Sequence, residues 1–181
     1  MVEKTDNAVS DAAGIAAAAS RASAKGPPPV HLWNPPFCGN LDMEIRADGS
    51  WFYNGTPIGR PEMVRLFASI LKREGNDYFL VTPVEKVGIR VVDAPFVAVD
   101  ADIGAGIDFT TNVGDRVTAG PDHPIELRGT VAEPRPYVHI RRGLWALIDR
   151  KTFYRLADAA TPGESGRMEV HSEGAVFALE L

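Results

Sequence analysis

From Leu41 to Leu181 the chain is a succession of short apolar runs, most of them closed within a few residues by glycine, proline or a tight-turn pair. Runs of that length bounded by turn residues read as β-strands. Leu41 to Arg46 and Trp51-Phe52-Tyr53 make the first hairpin around Asp48-Gly49, a pair that accepts the positive φ of such a turn. Asn54-Gly55 marks a second turn. Further strands are expected at Tyr78 to Thr82, Val87 to Val92, Phe96 to Val99, Ile107 to Thr111, Ile125 to Leu127, Val138 to Ile140, Trp145 to Ile148, Met168 to Val170 and Ala175 to Leu181. Pro61 to Glu74 breaks the pattern. Met63, Leu66, Phe67, Ile70 and Leu71 recur at helical spacing on one face. Pro61 suits a first helical position, Lys72 and Arg73 suit a last turn, and Gly75 suits a C-cap. A shorter helix is expected over Arg150 to Asp158, where Phe153, Leu156 and Ala157 share a face.

These elements predict an α+β fold of two related halves, with antiparallel sheets and one main helix each. The halves are placed at 30–100 and at 101–181, the second mostly β. Residues 1–29 are rich in Ala and Ser and end in Lys25-Gly26-Pro27-Pro28-Pro29. An isolated helix that short is marginal in water, and a proline run leads out extended. The segment is therefore read as a mobile tail. His31 to Pro36 is read as an extended cover.

Composition narrows the function. With 45% hydrophobic residues in 181, the chain can bury a core without staples. Its one cysteine, Cys38, allows no intrachain disulfide, which fits a reducing, cytoplasmic setting. A formal net charge of -5 argues against bulk nucleic acid or an anionic membrane as partner, while leaving room for one small anion in a local basic pocket. No run of about 18 apolar residues suggests a membrane span. The alanines after Ile15 do not make a signal peptide, because Glu3, Asp6 and Asp11 acidify the part that should be basic.

No catalytic constellation, metal site or cofactor motif is legible. His31, His123, His139 and His171 lack metal-site spacing. Cys38 reads as structural, with no base beside it. Gly104-Ala105-Gly106 lacks the third glycine of a dinucleotide fingerprint. Asp42, Glu44 and Asp48 fall on one strand face, most simply a solvated edge. Glu85 and Lys86 are either an ion pair that orders the turn after Pro83 or part of a site.

Two segments echo each other. Ile45-Arg46-Ala47-Asp48-Gly49-Ser50-Trp51 and Ile140-Arg141-Arg142-Gly143-Leu144-Trp145 each run strand, glycine turn, tryptophan, then helix. Coincidence and duplication both explain this. Under duplication Arg46 and Arg141 occupy equivalent places. Guanidinium beside an aromatic ring suits an anion that carries a flat group. In the plainer reading both tryptophans are core and the arginines pair with Asp48 or Asp149.

Asp42-Met43-Glu44-Ile45, Asp48-Gly49-Ser50-Trp51, Pro57-Ile58, Leu66 to Leu71, Leu80-Val81-Thr82-Pro83 with Glu85-Lys86, and above all Asp93 to Val99 resemble the bacterial family catalogued as domain of unknown function 1285. The resemblance runs over about residues 30 to 180. It implies a duplicated α+β core, a second half loosely like pleckstrin-homology folds, and a signalling role. It also implies a site between the halves for a nucleotide-like ligand. Combined with the arginine and tryptophan placement, it marks Arg46, Trp51, Thr82, Lys86, Arg141 and Trp145 as ligand-binding residues. The expected function is a ligand-binding or signalling module, with a signalling protein as a further partner. The alternatives are an interaction or scaffold module without a small ligand, and an enzyme with no recognisable local motif.

Overall fold

The computed structural model describes residues 11–181. The chain divides into two compact units, Met1–Val92 and Asp93–Leu181. The division falls before residue 100 because the strand that starts at Phe96 runs on to Ile103, with Ala101 buried between exposed Asp100 and Asp102.

The first unit contains helix α1 (Ala12–Ala22), strands β1 (Phe37–Ile45), β2 (Trp51–Tyr53) and β3 (Thr56–Pro57), helix α2 (Pro61–Ser69), then β4 (Leu71–Glu74), β5 (Asp77–Val81) and β6 (Lys86–Val91). The six strands form one sheet in the order β3-β2-β1-β6-β5-β4. Two antiparallel meanders are joined by one parallel pair, β1 with β6. Period-two alternation sends Met43, Ile45, Trp51, Leu80 and Val87 to a buried face. Phe67 of α2 stacks on Trp51 with ring centroids 6.1 Å apart, so α2 covers that face.

The second unit contains β7 (Phe96–Ile103), β8 (Ile107–Thr111), β9 (Arg116–Thr118), β10 (Ile125–Gly129), β11 (Pro134–Arg141), β12 (Leu144–Ile148), helix α3 (Arg150–Ala159), and β13 (Thr161–Pro162), β14 (Met168–Ser172) and β15 (Ala175–Ala178). Its six-stranded sheet runs β10-β11-β12-β7-β8-β9, again two antiparallel meanders joined by a parallel pair, β12 with β7. Strands β13 to β15 form a separate three-stranded sheet. Asp149 caps α3 by accepting from the Thr152 backbone N–H at 2.8 Å. Leu156 of α3 is fully buried. The hairpin turns Asn54-Gly55, Arg142-Gly143 and Glu173-Gly174 place two successive residues at positive φ, the twist that suits flanking strands.

The two halves are therefore duplicates in strand order, each with a mixed sheet of six strands and one main helix. The equivalence differs from the one the tryptophan echo suggested. The hairpin β1–β2, which carries Arg46, corresponds to β7–β8. The hairpin β11–β12, which carries Arg141, corresponds to β5–β6. The helix sits between the meanders in the first half and after them in the second.

Two further expectations are corrected. Residues 12–22 of the expected tail are a helix, capped by Asp11, whose side chain accepts from Gly14 N at 2.9 Å. Ala12, Ile15, Ala16 and Ala19 are buried on one face of it, and α1 packs on α2. Tertiary contact overrides the weakness of an isolated helix. The first ten residues of the expected tail lie outside the described residues. The main helix ends at Ser69 rather than Glu74. The Ser69 hydroxyl donates to Leu66 O at 2.6 Å, and Leu71 to Glu74 pair with β5 instead. Lys72 and Arg73 are strand residues, and Gly75 turns the β4–β5 hairpin.

Candidate functional site

The face of the first sheet opposite α2 is built by an irregularity in β1. Along the parallel pair, Phe37 is opposite Lys86 and Asn40 is opposite Gly88, three steps on β1 against two on β6. Gly39 lies in that stretch at φ 103°, a value open to glycine and costly for other residues. Regular alternation would send Phe37 and Asn40 to opposite faces. The extra residue brings both to the same one, as bulges do when they re-aim a side chain.

A cavity of about 340 Å³ lies there, lined by Phe37, Asn40, Asp77, Tyr78, Phe79, Lys86, Gly88 and Ile89. Gly88 lies at its floor, under the Asn40 amide. A Cβ there would lie 2.1 Å from Asn40 Oδ1, so the space of a side chain is already taken by the Asn40 amide. That amide has no side-chain hydrogen-bond partner among the described residues. The Phe37 and Phe79 rings meet edge to face with centroids 6.0 Å apart, and Phe37 remains 54% exposed. Lys86 Nζ lies 4.7 Å from the Phe79 ring centroid and 3.0 Å from Glu74 Oε2. Lys72 Nζ reaches the other Glu74 oxygen at 3.5 Å. The hydrogen bond from Lys86, more than any other contact, holds the Glu74 carboxyl below the usual glutamate range. Two cations thus flank one carboxylate beside the cavity.

The acidic face read from the sequence continues from this cavity along β1, which is an interior strand of the sheet. Arg90 Nη2 meets Asp42 at 2.7 Å, and Arg46 Nε meets Glu44 at 3.3 Å. Asp48 accepts from the Ser50 backbone N–H at 2.9 Å within the turn. These carboxylates are spent on cations and turn structure.

Of the six residues marked by sequence, only Lys86 lines this cavity. Arg46 lies 3.4 Å above the Phe52 ring, not beside Trp51, which faces the core. The Trp51 indole N–H is buried without a partner among the described residues. Thr82 is buried, and its hydroxyl accepts from Glu85 N at 3.1 Å, so it orders the β5–β6 turn. The ion pair of Lys86 is with Glu74, not Glu85. Arg141 Nη1 meets Asp115 Oδ2 at 2.7 Å, and the Arg141 guanidinium carbon lies 5.0 Å from the Phe96 ring centroid. The guanidinium on Trp145 belongs to Arg128, 4.8 Å from its ring centroid and 4.4 Å from that of Tyr137.

Around Trp145 the second sheet's corresponding face is filled by side chains. His139 meets Trp145 edge to face at 5.2 Å, and Arg128 is held to Glu126 at 3.0 Å. Tyr137 donates to Asp93 at 2.8 Å, and Arg135 reaches the same carboxylate at 2.8 Å. Burial, foremost, pushes the Tyr137 phenol up from its ordinary value. Asp93 thereby anchors the start of the second unit. Among the described residues, no three His, Cys, Asp or Glu side chains come together to hold a metal ion.

The residues that sequence reading missed are Phe37, Asn40, Phe79 and Gly88. The available signal was glycine inside strand runs, Gly39 and Gly88, which marks a bulge or a close approach.

The comparisons with known proteins agree with the duplication. A model described as the N-terminal domain of DUF1285, a domain of unknown function, matches residues 28–94, and one for the C-terminal domain of DUF1285 proteins matches residues 95–179. The crystal structure of a DUF1285 family protein from Silicibacter pomeroyi DSS-3 is similar at 56% identity and a TM-score of 0.85, covering 95% of this chain and 96% of that one. That cover necessarily takes in residues ahead of Pro28. A DUF1285 family protein from Shewanella baltica OS155 is similar at 31% identity and a TM-score of 0.54, covering 65% of this chain and 91% of that one. No curated protein matches the chain. With both domain models matched in order over residues 28–179, the chain belongs to the DUF1285 family.

Proposed function

We propose that this chain is a ligand-binding module whose first half takes a small anionic, nucleotide-like molecule in the cavity over Gly88. The observation that carries the reading is the bulged β1. It spends a glycine at positive φ and a register shift to gather Phe37 and Asn40 over a strand residue with no side chain. Such re-aimed side chains are common beside functional sites. The volume falls at the low end of small-molecule pockets, which run from about 300 to 1,000 Å³. Exposed Phe37 offers a flat group a stacking surface. Lys86, which lines the cavity, offers a cation to an anion, with Lys72 and the carboxylates of Glu74 and Asp77 nearby. The signalling role implied by the family resemblance goes with this reading. No helix among the described residues is long and apolar enough to cross a membrane. Free Cys38 accords with the reducing, cytoplasmic setting we propose.

The test is a thermal-shift screen of nucleotides and phosphorylated metabolites against the wild-type chain and Gly88→Ala. A ligand of the folded state raises its melting temperature by mass action. The added methyl displaces only the end of the exposed Asn40 side chain, so the unliganded melting temperature should change little while the ligand shift is lost. A ligand shift that survives in Gly88→Ala places binding elsewhere and overturns this site. No shift from any compound overturns the ligand reading and favours the interaction-module alternative.

A further inference from the structure

The geometry points to Asn40 as the residue that selects the ligand, and to a planar ring with an adjacent hydrogen-bond donor and acceptor as what it selects. This rests on the cavity over Gly88 being a ligand site. A side-chain amide presents one acceptor and two donors on a short, planar group. Asn40 is exposed, so its amide stands where a ligand can reach it. The bulge aims it over Gly88, which has no Cβ to contest that space.

The neighbours of the amide define what it meets. Phe37 stands beside it, its Cε2 3.7 Å from the same point above Gly88. A ring stacked on Phe37 is thereby brought close to the Asn40 amide. Lys86, two residues along β6 from Gly88, takes the side on which Phe79 and Glu74 lie. The division of labour follows: Phe37 holds the ring face, Asn40 reads the ring edge, and Lys86 meets the anion. Amide groups read such an edge with two parallel hydrogen bonds, as they do with adenine. A sugar phosphate without a base offers no such edge, nor does inorganic phosphate.

The full chain should be titrated calorimetrically with AMP, GMP, CMP and UMP, and with ribose 5-phosphate as the probe that lacks a base. At least one nucleotide should bind on the order of tenfold to a hundredfold tighter than ribose 5-phosphate, the span that one two-bond contact supplies. Asn40→Leu keeps the size of the side chain and removes the amide. It should remove the share of that preference that the two-bond contact supplies, leave the share that stacking on Phe37 supplies, and leave ribose 5-phosphate binding and the unliganded melting temperature unchanged. Equal affinities for nucleotide and ribose 5-phosphate, or a preference untouched by Asn40→Leu, overturn the role of Asn40 while leaving an anion site at Lys86 standing. Absence of binding by all five probes overturns both.

Discussion

The two sheets share one strand order and differ where their parallel pairs meet. In the first half the pair β1–β6 slips register twice between Phe37 and Glu44. In the second the pair β7–β12 runs in step, Phe96 to Ala98 against Ala146 to Ile148. The consequences appear on the face away from the helix. The slipped pair leaves a glycine floor with a cavity over it. On the other sheet the corresponding face carries Tyr137, His139 and Trp145, closed by Arg128. The duplicated sheets thus differ in surface chemistry both in pairing and in the side chains they carry, with an apolar buried face in each.

The sameness of the buried faces can be broken most forcefully with Phe67→Ala in the first half and Phe109→Ala in the second. Phe67 is 1% exposed and Phe109 0%. Each change should cost about 3–5 kcal/mol in chemical denaturation, the usual range for a buried phenylalanine. A cost under about 1 kcal/mol at either site would show that its sheet is not packed as described.

The first half has an extra layer, α1, and Ile15→Ala tests it. Ile15 is 1% exposed. Truncation should cost about 2–5 kcal/mol if α1 is bound on α2. A mobile segment, as the alanine-rich composition suggested, would show no change.

The smallest effect concerns the charged rim of the cavity. Lys86 holds the Glu74 carboxyl ionised to lower pH than usual. A carboxyl with a depressed folded value adds stability above its unfolded value, and loses it as the pH falls through the folded one. Lys86→Met should raise the Glu74 midpoint in an NMR titration. Its stability cost at neutral pH should stay below about 1 kcal/mol, because Glu74 is well exposed to solvent and the pair is screened. An unmoved midpoint would detach Lys86 from Glu74.

Most of the strands were legible because their turns announce themselves. Trp51-Phe52-Tyr53 and Ile107 to Thr111 are bounded as the sequence suggested. Strand β4 was not legible, because Ile70 and Leu71 extend the helical spacing of Met63 to Phe67 and only pairing with β5 ends it. Helix α1 was discounted because an isolated helix that short is marginal in water, and the packing that buries Ala19 to 0% exposed cannot be read from the segment itself. At the site, Lys86 was legible as a cation near a turn. Asn40 was not, since its direction is set by a register shift against a strand some fifty residues later. Arg46 was paired with the wrong ring because Trp51 and Phe52 are adjacent in sequence and face opposite sides of the sheet.

The parallel pair has a consequence for synthesis. In each unit it joins the first strand to the sixth, β1 to β6 and β7 to β12. A nascent chain leaving the ribosome therefore carries β1 with one edge unpaired until Lys86 to Val91 emerge, and the same wait recurs for β7. Long-range pairing of this kind closes late, and an open strand edge is a template for the wrong partner. Truncation ahead of Lys86 would leave that edge permanently open in the middle of the intended sheet, making such fragments candidates for chaperone capture rather than for independent folding.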